Sequence, residues 1–177
     1  MINYRKIIWH LRAVFKKPFF GKIGKQSYFG KPIYASGLKR LFLGKRCRVF
    51  PNARIEIGPE AKIVIGDNCS IGQGLHIASY FGPLTVGSSV TISSNVFISN
   101  VEHSFVRNQS CLETALVYKE TKIGNYCFIG VGAKILPGTI LGDNCIVGAG
   151  AVIKGVFPDN SIIVGVPGRI IGEVNDD

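Results

Sequence analysis

Apolar residues recur every six positions along much of this chain. From Ile123 the sequence divides into IGNYCF, IGVGAK, ILPGTI, LGDNCI, VGAGAV and IKGVFP. The first position is always aliphatic, the second is Gly in four of the first five units, and the fifth of those units is Cys, Ala or Thr. The same frame stands upstream as IGDNCS, IGQGLH and IASYFG from Ile65, and as VGSSVT, ISSNVF and ISNVEH from Val86. Neither the two-residue period of a half-buried strand nor a helical period produces a strict six. A six is a short strand followed by a tight corner, repeated.

Three such units close one triangular coil. The pattern therefore predicts an all-β protein built as a parallel β-helix, each edge contributing a strand to a parallel sheet and each coil covering its neighbour. The first position points inward and stacks on its equivalents. The fifth also points inward, beside a corner that admits only small or medium side chains. Gly at the second position, and Asn or Gly at the third and fourth, supply backbone shapes that β-branched residues resist. Cys69, Cys127 and Cys145 all fall at the fifth position and read as small buried residues, whereas Cys47 and Cys111 fall outside the frame. Five Cys with no CxxC pair argue against a disulfide framework or a zinc ribbon and fit a reducing compartment.

The frame breaks twice. Nine residues separate Ile77 from Val86, so Tyr80, Phe81 and Gly82 are expected to bulge from a corner. The frame then stops after ISNVEH and resumes at Ile123, leaving an excursion over residues 104–122, and long loops on a repetitive scaffold often carry function.

Upstream the pattern changes. Tyr4, Ile7, Ile8, Leu11, Val14 and Phe15 recur at helical spacing, with Arg5, Arg12, Lys16 and Lys17 largely off that stripe and Trp9, Phe19 and Phe20 nearby. Basic residues interrupt any signal-peptide core there. Charge sharpens the division: the chain of 177 residues carries 14 Lys and Arg and no acid through Arg54, then 7 basic and 11 acidic residues. The expected organisation is a basic segment at 1–48, partly helical, a β-helix domain at 49–171 and an acidic tail at 172–177. The basic helix suits either an anionic membrane surface or packing on the protein itself. No nucleic-acid motif accompanies the charge, which sets nucleic acid aside. No apolar run reaches the length of a membrane span.

Three His are present. His10 lies in the basic stripe, His76 ends IGQGLH, and His103 ends ISNVEH where the excursion leaves. An imidazole at that corner is a candidate general base; the alternative is an exposed corner His without a task.

The hexads, the His that ends a coil, the excursion and the tail VFPDNSIIVGVPGRIIG resemble the hexapeptide-repeat acyltransferases with a left-handed β-helix. They are most similar to the galactoside, maltose and polysaccharide O-acetyltransferases, over about Ile65 to Ile171. The resemblance implies acetyl transfer from acetyl-CoA to a sugar hydroxyl in cell-surface polysaccharide synthesis, without a metal, with His103 as base. It implies an oxyanion donor at the Val131 backbone and cofactor contacts at Phe128, Gly130, Gly148, Ala149, Gly150, Lys154 and Arg169. Asn100 or Glu102 could orient the imidazole, although Glu102 faces the opposite way from its strand neighbour. Gln73 and His76 stand where an acceptor could bind. A homotrimer, and a cytoplasmic location with peripheral contact at the inner membrane face, follow from the same resemblance. A nucleotide-sugar N-acetyltransferase and a non-catalytic scaffold are the rival readings. A γ-class carbonic anhydrase would need three His around one metal, and the coils hold two.

Overall fold

A computed structural model describes residues 7–8, 11 and 19–175. Six complete triangular coils and a partial seventh form the parallel β-helix. The first face stacks Lys22–Ile23, Leu41–Leu43, the second halves of Arg54–Ile65 and His76–Val86, then Thr121–Ile123, Ile140–Leu141 and Val156–Phe157. The second face stacks Tyr28–Phe29, Arg48–Val49, Ser70–Ile71, Thr91–Ile92, Phe128–Ile129, Ile146–Val147 and Ser161–Val164. The third stacks Tyr34–Ser36, the first halves of the two long strands, Phe97–Ser99, Lys134–Ile135 and Val152–Ile153. Arg169–Glu173 turns back antiparallel on Ser161–Val164 and covers the C-terminal end of the second face.

The core is the predicted one. First-position Ile71, Ile92, Ile98, Ile123, Ile129 and Ile135 are buried in columns, with Cys69, Val90, Cys127, Ala133, Cys145 and Ala151 beside the corners. Burial pushes the Cys127 thiol up to about 12 and raises that of Cys145. These sulfurs stay protonated and donate to main-chain carbonyls, Cys127 Sγ to Gly142 O at 3.2 Å and Cys145 Sγ to Pro158 O at 3.1 Å. Cys47, expected outside the frame, is fully buried in the same column, one coil before Cys69; only Cys111 is exposed.

Two roles assigned together to the corners separate. The fourth position carries the left-handed backbone: Asn68, Ser89, Asn95, Tyr126 and Asn144 all have φ between 58° and 61°. The second-position Gly is required for close approach instead. A Cβ on Gly130 would lie 2.5 Å from Ala149 N in the next coil.

The solenoid begins much earlier than residue 49. Lys22–Ile23, Tyr28–Phe29 and Tyr34–Ser36 form a full first coil, and Leu41–Leu43 opens the second. From Lys22 the basic segment is therefore β-helix, its basic residues exposed except Arg40, which donates to Ile57 O at 2.7 Å, in a stretch too irregular to show the six. Ile7, Ile8 and Leu11 are helical and exposed. The rest of that stripe (Tyr4, Val14, Phe15), along with Trp9, His10, Arg5, Arg12, Lys16 and Lys17, lies outside the described residues, as do Asp176 and Asp177 of the acidic tail. Gly172 and Glu173 of that tail belong to the last strand.

Tyr80, Phe81 and Gly82 do not bulge. They continue the strand His76–Val86 around the corner, Phe81 and Gly82 in register with Glu60 and Ala61 of the coil before, while Tyr80 falls at a register shift where that coil carries one residue more.

One corner carries its own polar ladder. Between the first and second faces, each third-position side chain accepts the backbone N–H of the equivalent residue one coil earlier. Asp159 takes Asp143 N at 2.8 Å, Asp143 takes Asn125 N at 2.7 Å, and Asn125 takes Ser88 N at 2.9 Å. Ser88 takes Asp67 N at 3.1 Å and Asp67 takes Lys45 N at 2.8 Å. The bond from Asn125 holds the Asp143 carboxyl below its ordinary value.

Candidate active site

The third corner, between the third and first faces, is where the coils depart most from six. In the fourth coil the chain leaves the solenoid as a hairpin: Val101–His103 pairs antiparallel with Leu116–Tyr118, and His103 stands opposite Leu116. The excursion thus starts before residue 104, and His103 belongs to the arm rather than to the coil it was expected to close. Thr121–Ile123, at its far end, is already back in the first face.

The root of the arm is tied from several sides. Asn100 is fully buried and donates to Ser79 Oγ at 2.8 Å and to Phe81 O at 2.9 Å. Its side chain fastens the arm to the coil before and does not reach the imidazole. Thr121 Oγ1 donates to Ser99 O at 3.1 Å and accepts Gly138 N at 3.1 Å. Tyr118 lies on Gly82, whose φ of +58° and lack of a side chain make room for the ring. A Cβ there would come within 2.7 Å of Tyr118 Cζ.

Strand alternation sends Glu102 and His103 to opposite sides. Glu102 receives Lys119 Nζ at 2.5 Å and Lys154 Nζ at 2.8 Å. The hydrogen bonds from Lys119 and then Lys154 hold its carboxyl below the usual range. Lys154, expected as a free cation for a cofactor phosphate, is instead a clamp between the sixth coil and the arm. His103 is exposed, and among the described residues its ring makes no hydrogen bond or ion pair.

Glu102→Gln is expected to loosen the arm without unfolding the solenoid. Amide exchange over Val101–His103 and Leu116–Tyr118 should quicken, with a stability loss below about 1 kcal/mol, since the pairs are solvent-exposed. In the native chain a lowered carboxyl contributes above its unfolded value and loses that contribution as pH falls through the lowered one. Arm protection should therefore hold from neutrality to about pH 5 and decline below it. Unchanged exchange in the variant would contradict the clamp.

The second corner, between the second and third faces, lacks the ladder of the first. From the third coil its third positions are Gln73, Ser94, Val131 and Ala149, and among the described residues no side chain caps their N–H groups. Among the described residues the Val131 N–H meets no acceptor, although its carbonyl receives Gly150 N at 2.8 Å. A Cβ on Gly132 or Gly150 would meet nothing within 4 Å, so the surface is open there. Gly130 and Gly148 are instead packed between coils, and Ala149 is exposed. Phe128 is 44% exposed on the second face, and Arg169 is exposed on the last strand, donating only to Gly168 O at 3.0 Å. Within one chain, His103 and Val131 therefore stand at opposite edges of the third face.

That face carries a cluster the sequence reading missed. Glu56 accepts Arg54 Nε at 2.6 Å, pairs with His76 Nε2 at 3.0 Å and accepts the Tyr80 hydroxyl at 3.0 Å. The Arg54 guanidinium, followed by His76 and Tyr80, keeps the Glu56 carboxyl below its ordinary value. Arg54 also lies over the Tyr34 ring at 5.1 Å, and the His76 ring meets Phe97 edge-on at 5.1 Å. Of the expected acceptor residues, His76 is in this cluster and Gln73 is exposed at the adjacent corner. Arg54 and Glu56, two apart on one strand face, were the available signal; Tyr80 was hidden in the nine-residue gap. No group of three or more His, Cys, Asp or Glu among the described residues is placed to hold a metal ion.

The solenoid of stacked hexapeptide coils matches the fold of the left-handed β-helix acyltransferases. Residues 120–155 match the family model described as bacterial transferase hexapeptide (six repeats). The putative lipopolysaccharide biosynthesis O-acetyl transferase WbbJ of Escherichia coli is 30% identical over 117 residues, 62% of this chain and 59% of that protein. The chain thus spans about three fifths of that relative's length. A galactoside acetyltransferase solved in complex with coenzyme A superposes with a TM-score of 0.67 at 26% identity, covering 94% of this chain and 72% of that one. AntD, an N-acyltransferase from Bacillus cereus solved with dTDP and 3-hydroxybutyryl-CoA, superposes with a TM-score of 0.81 at 20% identity, covering 93% of this chain and 88% of that one. The chain thus resembles the hexapeptide-repeat transferases in its repeat and in its fold.

Proposed function

We propose that the protein transfers an acetyl group from acetyl-CoA to a hydroxyl of a sugar used in cell-surface polysaccharide synthesis. The observation that carries this reading is the arm: a buried Asn100 and a doubly clamped Glu102 hold its root, and His103 is presented to solvent on the other side. His103 takes the proton of the acceptor hydroxyl as its oxygen bonds to the thioester carbonyl carbon. The Val131 N–H holds the resulting oxyanion. Collapse breaks the carbon–sulfur bond, and the imidazolium returns the proton to the leaving thiolate.

His103 and Val131 stand at different corners of one chain, so they meet between copies. This supports a homotrimer in which each arm faces a neighbour's second corner. Phe128, Gly150 and Arg169 are the open or exposed positions suited to the coenzyme A arm and its phosphates. Lys154, engaged by Glu102, is released from that role. The Arg54–Glu56–His76–Tyr80 cluster, with Gln73, suits the acceptor. The basic N-terminal sequence supports a cytoplasmic enzyme resting on the inner face of the membrane. No described helix is long and apolar enough to cross a membrane.

Thiol release from acetyl-CoA, measured across lipid-linked and nucleotide sugars, tests the reading. The expected result is sugar-dependent release with an alkali-labile ester as product. An alkali-stable amide would assign the nucleotide-sugar N-acetyltransferase reading, and no release with any acyl-CoA would leave a scaffold.

A further inference from the structure

The polar ladder along the first corner runs out at one end. From Asp159 to Asp67 every third-position side chain supplies an oxygen to the N–H one coil earlier. The next residue in that column is Lys45, which has no oxygen to offer Lys25. Among the described residues the N–H groups of Lys25 and Gln26 meet no acceptor. Gln26 is left-handed, with φ 60°. In the next coil the equivalent N–H groups point opposite ways along the solenoid, Lys45 N to Asp67 Oδ1 and Arg46 N to Lys25 O, so the Lys25 N–H is the one that faces the vacant ladder position.

A cavity of about 640 Å³ opens there, lined by Lys22, Lys25, Gln26, Lys45, Arg46 and Asp67, among others. The single carboxylate is occupied, since Asp67 Oδ1 accepts Lys45 N at 2.8 Å. Arg46 is turned toward Asn68 Oδ1, with Nε at 2.5 Å, and among the described residues no ion pair engages Lys22, Lys25 or Lys45. The preceding chain cannot neutralise them with a side chain, because no acid occurs before Glu56.

We infer that this groove binds a phosphoryl oxyanion. One oxygen takes the place the ladder leaves vacant at the Lys25 N–H group, and the ammonium groups of Lys25 and Lys45 balance its charge. A multiply charged tetrahedral anion fits several cations around one main-chain donor better than a lone carboxylate does. The site is remote from the arm and independent of acetyl transfer. Its ligand is the headgroup phosphate of an anionic lipid or a free phosphoryl compound.

The test uses the full chain, isotope-labelled, with Lys45→Asp as the key variant. Asp at this position supplies the missing oxygen from within, as Asp67 does one coil later, so the fold gains a bond while the anion position is filled. Inorganic phosphate should shift the Lys25 and Gln26 amide resonances of the native chain, and Lys45→Asp should weaken that binding by about tenfold or more without lowering thermal stability. Sedimentation with phosphatidylglycerol vesicles, against phosphatidylcholine, separates the sources: vesicle capture lost in Lys45→Asp assigns a lipid headgroup, and phosphate binding without capture assigns a soluble phosphoryl ligand. Native resonances that ignore both probes, or a Lys45→Asp chain that binds as well as the native one, would overturn the site.

Discussion

His103→Ala is expected to lower kcat by about 10²–10⁴-fold, the usual worth of a positioned general base. The KM for acetyl-CoA should change little. The imidazole contacts the acceptor hydroxyl in this account, while the coenzyme binds along the second corner of another copy. The fold should be unaffected, because the ring is exposed and the arm is held by main-chain pairing with Leu116 and by Glu102, Lys119 and Lys154. Steady-state thiol release, beside a melting curve, checks both halves. A variant with native kcat would remove His103 from the chemistry, whereas a variant that melts early would show that the arm depends on a ring that makes no hydrogen bond or ion pair among the described residues.

The second large effect is on stability. Ile129→Ala should cost about 2–5 kcal/mol. Ile129 is fully buried and stands in register between Ile92 and Val147. Its methyl groups fill the axis of the fifth coil, where rigid coils above and below leave little room to collapse. Chemical denaturation would report the loss; a change under about 1 kcal/mol would mean that the columns are not the source of cohesion.

The columns were legible because the solenoid repeats one environment many times. Position one of each hexad must be aliphatic and position five small, and the sequence states this from Ile65 onward. The first coils were harder to see. KIGKQSYFGKPIYASG and LFLGKRCRVFPNARIEIG carry the same inward residues, including Cys47, but their third corners vary in length and Lys or Arg fill the outward positions. Charge suggests a separate segment where, from Lys22, geometry shows a first coil and the opening of the second. The arm was visible as an interruption, yet its root was misplaced, because antiparallel pairing of Val101–His103 with Leu116–Tyr118 leaves no periodic trace. Lys154 was read as free because its partner, Glu102, lies 52 residues away in sequence. The Glu56 cluster joins the second and third coils, with Tyr34 of the first and Phe97 of the fourth against it, and no local pattern records contacts between coils.

The central claim is that His103 of one copy faces the second corner of another across a bound thioester. A crystal structure with coenzyme A tests it most directly. The account predicts three copies about one axis, with the thiol within hydrogen-bonding reach of a His103 ring and beside the Val131 N–H of a different copy. A coenzyme lodged along any other edge, or a thiol remote from every His103, would contradict it.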